Sequence, residues 1–251
     1  MSLWRLEVLR LVRTRRWVAL FSVYLFFGFL GPVTARYLRD IVSFAGGDRS
    51  GVTITFPAAI PADGMARYVS NAVQIGTLVT VVVAAGALAF DSPPEMGVFL
   101  RSRVNRVSSI LLPRLVIPFL AASAAFVIGA LAAWYETWAL IGALDTSRLL
   151  LGIGFGIVFI AFVVALVAAV AQWSRGLLAT VMASVVALLV LPILGIASAV
   201  GRWLPTSLAQ ALANLPAGGE ISPYVGASVV TVVSIAGLVW LAMIGAQRRE
   251  L

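Results

Sequence analysis

The sequence predicts an all-α polytopic membrane protein with six transmembrane helices, an N-terminal amphipathic interfacial helix and a short extracytoplasmic helix before the sixth span. Three observations lead there. The 251-residue chain is 61% hydrophobic and only 11% charged, where a soluble domain carries roughly 45–50% apolar and about 25% charged residues. Six stretches supply the roughly 20 apolar residues that a helix needs to cross a hydrocarbon core about 30 Å thick. Charge is kept out of them: none contains Asp, Glu or Lys, and Arg114 is the single Arg among them, near an end.

The stretches run from Trp17 to Val33, Val73 to Phe90, Ile110 to Trp134, Leu149 to Val170, Leu177 to Val200 and Val225 to Gly245. Ahead of the first, Trp4, Val8, Leu11 and Val12 fall on one helical face and Glu7, Arg10 and Arg13 on the other. That pattern predicts a helix over 1–16 lying in the membrane interface, its arginines among anionic head groups. Val33-Thr34-Ala35 could pass for a signal-peptide cleavage site, but the first span is read as retained. The Arg36–Asn71 connection is expected to be long and extracytoplasmic, with Val52, Ile54 and Phe56 alternating with Thr53 and Thr55 as in a short strand or a segment lying on the membrane.

Polar and small residues mark particular spans. Asn71, Gln74, Thr77 and Thr80 give the second span a polar stripe at roughly helical spacing, able to bond another helix or to line a pathway. Trp134, Tyr135 and Trp138 close the third span as an aromatic belt. Gly152, Gly154 and Gly156 open the fourth and suit close helix packing. Pro118 and Pro192 predict kinks. Leu204, Leu208, Leu212 and Leu215 recur at helical spacing, with Pro205 placed for a first turn and Pro216 and Gly218-Gly219 to stop it.

Composition excludes several chemistries. Cys and His are absent, which removes disulfides, Cys/His metal sites and His-dependent triads. All 18 basic residues are Arg, so no Walker-type loop with its phosphate-binding Lys can exist. No catalytic, metal or cofactor site is expected. The net charge of +8 is read as membrane topology and not as nucleic-acid binding. One side would carry Arg5, Arg10, Arg13, Arg15, Arg16, Arg101, Arg103, Arg106, Arg114, Arg175, Arg248 and Arg249; the other carries Arg36, Arg39, Arg49, Arg67, Arg148 and Arg202. The richer side is the cytoplasmic one, and six spans then put both termini in the cytoplasm. The Lys-free composition also fits a GC-rich bacterial genome, hence a bacterial cytoplasmic (inner) membrane.

The connection after the second span reads FDSPPEMGVFLRSRVNRVSSILLPR, from Phe90 to Arg114. It is long enough for a short helix along the membrane surface after Pro93-Pro94, and it is the natural docking surface, because the connection near Trp173 to Gly176 is too short to bind a partner. This stretch resembles the membrane subunit of type-2 ABC transporters, the exporter kind with six spans per subunit. Glu95-Met96-Gly97 is similar to that family's Glu-x-Gly element. Arg103-Val104-Asn105-Arg106 is similar to its Pro-Val-Ser-Arg element, with Arg103 in place of Pro and Asn105 in place of Ser. Arg114 stands at the basic position that opens the third span.

The resemblance implies a single transmembrane domain over 1–251 that works as the permease of an exporter. Residues 91–109 would be the cytoplasmic coupling loop that seats in a separate ATPase subunit, with Glu95, Gly97, Arg101, Arg103 and Arg106 as its contacts. Charge-assisted hydrogen bonds from the arginines to carboxylates would hold it there. ATP and Mg would be bound by that partner, and a second copy of this chain or a related permease would complete the assembly. The scarcity of ionisable groups within the spans argues for an external energy source and for hydrophobic or amphiphilic cargo. Three other readings were weighed. An ion-coupled secondary transporter predicts a midplane carboxylate or matched broken helices. A membrane enzyme would have to use the loosely close acidic pair Glu136 and Asp145. A non-transporting scaffold subunit would show the same six spans.

Overall fold

A computed structural model describes residues 3–44, 58–88, 107–174, 176–195 and 201–248. Among them the chain is helical, with no strand. In chain order the helices are α1 (Leu3–Arg13), α2 (Arg16–Phe44), α3 (Pro61–Asn71), a π-helical turn (Ala72–Gly76), α4 (Thr77–Leu88), α5 (Val107–Leu140), α6 (Thr146–Trp173), α7 (Leu177–Leu194), α8 (Pro205–Asn214) and α9 (Ser222–Arg248).

Five helical segments are long and apolar enough to cross a membrane: Arg16–Leu38, Pro61–Leu88, Ser109–Leu140, Thr146–Trp173 and Ser222–Gln247. The protein is therefore a multi-pass membrane protein in which five of the six expected spans meet that standard. The expected fifth span ends early. Its helix, α7, has 18 residues, or about 27 Å at 1.5 Å per residue, and residues 196–200 lie outside the described part.

The expected Arg36–Asn71 connection is corrected. Helix α2 continues past the apolar run to Phe44, and α3 already begins at Pro61. Arg36, Tyr37, Leu38 and Asp40 end the hydropathy signal without ending the helix, because none of them breaks the backbone ladder as Gly or Pro would. At the other end, Pro61 takes the first helical turn and the Asp63 carboxylate accepts from the Ile60 amide at 3.0 Å, an N-terminal capping contact. The suggested strand at Val52–Phe56 lies outside the described residues.

Helix α6 is the centre of the bundle. Of its most apolar window 61% is buried, against 17% for the peripheral α9. It packs against α9, α8, α4, α5 and α7, while α2 packs chiefly on α5. Small residues set these approaches, as expected where helices associate without a hydrophobic drive. A Cβ at Gly152 would lie 2.7 Å from the Leu212 Cα, so α8 rests directly on the α6 backbone, and one at Gly156 would enter the Phe126 ring. Gly154 faces open space. Gly28 and Gly129 meet the same way, where a Cβ on Gly28 would lie 2.6 Å from the Gly129 carbonyl oxygen.

Helix α8 starts with Pro205 in its first turn, as expected, and buries Leu208, Leu212 and Leu215 completely. It leans on α6 and α3 and does not simply lie in the interface. The chain leaves it through Gly218 at φ +96°, and the Asn214 amide donates to the Tyr224 hydroxyl at 3.0 Å, fastening α8 to α9.

Helix α1 is amphipathic, but its polar edge points into the protein. Glu7 is buried, and it pairs with Arg114 of α5 at 3.3 Å and with Arg10 at 3.6 Å. Arg114 is itself only 6% exposed. Trp4, Val8 and Val12 face outward, where a bilayer interface would cover them. The expectation that Glu7 belongs with a head-group-facing charged face is thus corrected: its carboxylate finds a guanidinium across the helix junction, which offsets the cost of burial.

The glycines make a direct test. Gly152→Ala forces α8 off the α6 backbone and is expected to cost about 1–3 kcal/mol, the usual range for overpacking. Gly154→Ala meets nothing and should be neutral or mildly stabilising. Thermal unfolding of the two purified variants beside the parent checks this; equal losses would contradict the packing.

Candidate functional site

Among the described residues, a cavity of about 840 Å³ lies between the π turn, α4, α6, α7 and α8. Ligand pockets commonly occupy roughly 300–1,000 Å³. Val73, Leu78, Val81, Phe159, Val185, Leu188, Leu189 and Pro192 form its apolar walls. Gln74, Thr77, Thr206, Ser207 and Gln210 supply its polar atoms. Among the described residues no ionisable side chain lines it.

The π turn builds one wall. Such wide turns break the regular ladder and recur at functional sites, and in lipid the freed carbonyls need partners. Here Thr80 Oγ1 donates to the Gly76 carbonyl at 2.9 Å and lies 3.1 Å from the Tyr24 hydroxyl, while Thr77 Oγ1 reaches the Ala72 carbonyl at 3.4 Å. Tyr24 stands so close that a Cβ on Gly76 would lie 2.6 Å from its ring. Behind it, Tyr24 meets Phe126 edge-on at 5.9 Å, Tyr68 stacks on Phe126 at 6.1 Å, and the Tyr68 hydroxyl donates to the Phe126 carbonyl at 2.9 Å. The cavity wall is thereby pinned to α2, α3 and α5.

The polar stripe expected on the second span divides. Gln74 and Thr77 line the cavity. Thr80 is buried and bonds another helix through Tyr24. Asn71 donates to the Arg67 carbonyl at 3.0 Å and stays apart from the cavity. Thr206, Ser207 and Gln210 complete the site from α8, and sequence reasoning passed over them. Thr206 and Gln210 stand four residues apart, one helical turn, but the stronger leucine repeat of the same helix masked that signal. Ser207 Oγ donates to the Leu204 carbonyl at 2.8 Å.

The coupling-loop residues Glu95, Gly97, Arg101, Arg103 and Arg106 lie outside the described residues. Both roots of that loop are described. Arg10 donates to the Gly86 carbonyl at 3.3 Å, and the Arg16 guanidinium lies against Gly86, two residues before the end of α4. On the other side, Glu7 holds Arg114 early in α5. One junction, α1 and the start of α2, therefore grips both ends of the 89–106 connection.

The acidic pair separates into two settings. Asp145 caps α6, accepting from the Ser147 and Arg148 amides at 2.9 and 3.3 Å and from the Ser147 hydroxyl at 2.7 Å. The Ser147 hydroxyl, then the Arg148 amide, hold its carboxyl below the usual range. Glu136 belongs to α5, beyond the expected end of the third span, and its Oε2 has no hydrogen-bond partner. Twenty-two positions separate Arg114 from Glu136, about 33 Å of helix at 1.5 Å per residue. That matches the roughly 30 Å of a hydrocarbon core, so the two charges of α5 stand near opposite edges and not at a midplane. Exposed Tyr135 and Trp138 flank Glu136, as at a membrane interface.

No family model, curated protein or solved structure matches this chain.

Thr80→Val would strand the buried Tyr24 hydroxyl, whose partner is Thr80 Oγ1. A loss of about 1–3 kcal/mol is expected, the cost of an orphaned buried polar group. Tyr24→Phe combined with Thr80→Val should lose less than the sum of the single changes. Unfolding of the three variants in one detergent measures the coupling; strict additivity would show that the bond contributes nothing.

Proposed function

We propose that this protein is the permease subunit of a type-2 ABC exporter, moving a hydrophobic or amphiphilic substrate with energy from a separate ATPase. The observation that carries this reading is a single continuous segment joining two sites. Its π turn and α4 present Gln74, Thr77, Leu78 and Val81 to the cavity. Ten residues beyond Gly76 its backbone is held at Gly86 by Arg10 and Arg16, where the proposed coupling loop begins. A displacement delivered at Gly86 acts on a packed helix that runs on to the cavity wall.

The supporting features are independent of that link. Five spanning helices and the shorter α7 as a sixth give an even number of crossings. The distribution of arginines, twelve against six, supports a reading in which both termini lie in the cytoplasm of a bacterial cell. Among the described residues the cavity offers no ionisable group for ion coupling, and Glu136 stands near an edge, which favours an external energy source over a carrier mechanism. On this reading ATP and Mg are held by the partner ATPase. A second copy of this chain, or a related permease, completes the complex.

The test is co-purification. The full chain, tagged at its C-terminus and extracted gently from native membranes, is expected to bring down a P-loop ATPase. Charge reversal by Arg103→Glu with Arg106→Glu should remove that partner while the permease remains folded. Failure to recover any such ATPase across several mild detergents would overturn the reading.

A further inference from the structure

We infer that the cavity between α4, α7 and α8 binds an amphiphile whose head group is uncharged and hydrogen-bonding. Its role as cargo rests on the permease reading, while binding itself needs no ATPase. Three features specify the ligand class.

The lining is divided along its length. Gln74 and Thr77 precede Leu78 and Val81 on the same segment, and Thr206, Ser207 and Gln210 come from α8. The polar atoms thus gather at the α8 end. From Gln74 to Val81 the wall advances about 10 Å at 1.5 Å per residue and turns apolar, with Phe159 and Val185 opposite. A molecule with a polar head and an apolar body matches that gradient.

The head-group end has unused hydrogen-bonding capacity. Gln74 and Gln210 are exposed to the cavity, and neither they nor Thr206 bonds another described residue. Each amide offers two donors and one acceptor. Leaving such groups unpaired in an apolar medium is costly, and a hydroxyl or amide head would satisfy them.

Charge is excluded. The five polar lining groups are neutral. Arg202, next to the lining Gly201, lies with its guanidinium 5.6 Å over the Trp203 ring. Residues 196–200, which complete the connection from α7, read IASAV and contain no ionisable group. A phosphate, carboxylate or ammonium entering here would be desolvated without a counter-charge.

The test is photo-labelling of the purified full chain in phosphatidylglycerol vesicles, which contain no competing neutral lipid. The probe is a monoacylglycerol with a diazirine in its chain. Labelling is expected on peptides of α4, α7 and α8, and unlabelled monoacylglycerol should compete at least tenfold better than a lysophosphatidylglycerol or a single-chain trimethylammonium amphiphile. Gln74→Leu and Gln210→Leu should each weaken binding about fivefold, and about 30-fold together, as expected for hydrogen bonds worth about 1 kcal/mol apiece. Leu189→Trp, at an exposed wall position, should abolish labelling by filling the space with no core residue disturbed.

Labelling spread over the outward faces of α7 and α9 and unchanged in the double Gln variant would overturn the site. Equal competition by the charged amphiphiles would overturn the ligand class. Quantitative disulfide dimers of Leu189→Cys, in a chain otherwise free of cysteine, would show that a second copy covers the cavity and overturn it as a ligand site. Binding without a recoverable ATPase would leave the site standing and remove only its role in ATP-driven export.

Discussion

The architecture depends on how one irregular turn is satisfied inside an apolar medium. Within a bilayer every backbone polar group must find a partner in the protein, and the π turn at Ala72–Gly76 interrupts the ladder that normally supplies it. The Ala72 carbonyl takes the Thr77 amide, and three hydroxyls reinforce the turn: Thr77 at the Ala72 carbonyl, Thr80 at the Gly76 carbonyl, and Tyr24 at Thr80. Because Tyr24 reaches across from α2, the turn is a junction between helices. The requirement extends outward, since Gly76 must lack a side chain for the Tyr24 ring to fit, and Gly129 must lack one where the Tyr24 backbone passes. Gln74, Thr77, Leu78 and Val81 follow one another at helical spacing along the cavity, while Thr80 falls on the face that meets Tyr24.

A second constraint operates at the opposite end of α4. Glu7 and Arg114 are both buried, and burial of an ion pair is weak evidence for stability because desolvation offsets much of the attraction. Registry is the better account of it. The pair fixes where α1 meets α5, and from that position Arg10 reaches the Gly86 carbonyl. Glu7 also reaches Arg10 at 3.6 Å, so one carboxylate ties both arginines to the same junction. The outward apolar face of α1, with Trp4, Val8 and Val12 exposed, gives the same helix a hold on the membrane. The roots of the 89–106 connection are therefore referenced both to the bundle and to the bilayer surface.

Much of this was legible in the sequence, and the failures have physical causes. Long apolar runs are a strong signal, and among the described residues they located the five helices long enough to span, while the expected fifth span is the shorter α7. Helix ends were less visible: α2 and α3 extend well into what hydropathy assigned to a loop, because charge at the head-group level ends an apolar run and leaves helix propensity intact. Helix α8 was readable from its leucines, Pro205 and Gly218, yet its polar face was not, since a leucine repeat says where a helix packs and nothing of what its other side faces. Glu7 shows the limit of periodicity. A charged edge on an amphipathic helix looks the same whether it meets water or a buried arginine 107 positions away, and three-dimensional contact alone separates the two.

The neutrality of the cavity connects these constraints to the proposed mechanism. A site that binds through amides, hydroxyls and apolar walls holds no group whose protonation or ion occupancy could change its affinity. Its affinity can be altered only by moving the walls. The wall tied to both junctions is the π turn with α4, whose register is set at one end by Tyr24 and at the other by Arg10 and Arg16. A shift at Gly86 small enough to preserve the helix would translate Gln74 and Thr77 relative to Gln210, and hydrogen bonds weaken steeply with distance and angle. The same arrangement that makes the site indifferent to ions thus makes it sensitive to mechanical displacement, which is the form in which a separate nucleotide-driven partner could deliver energy.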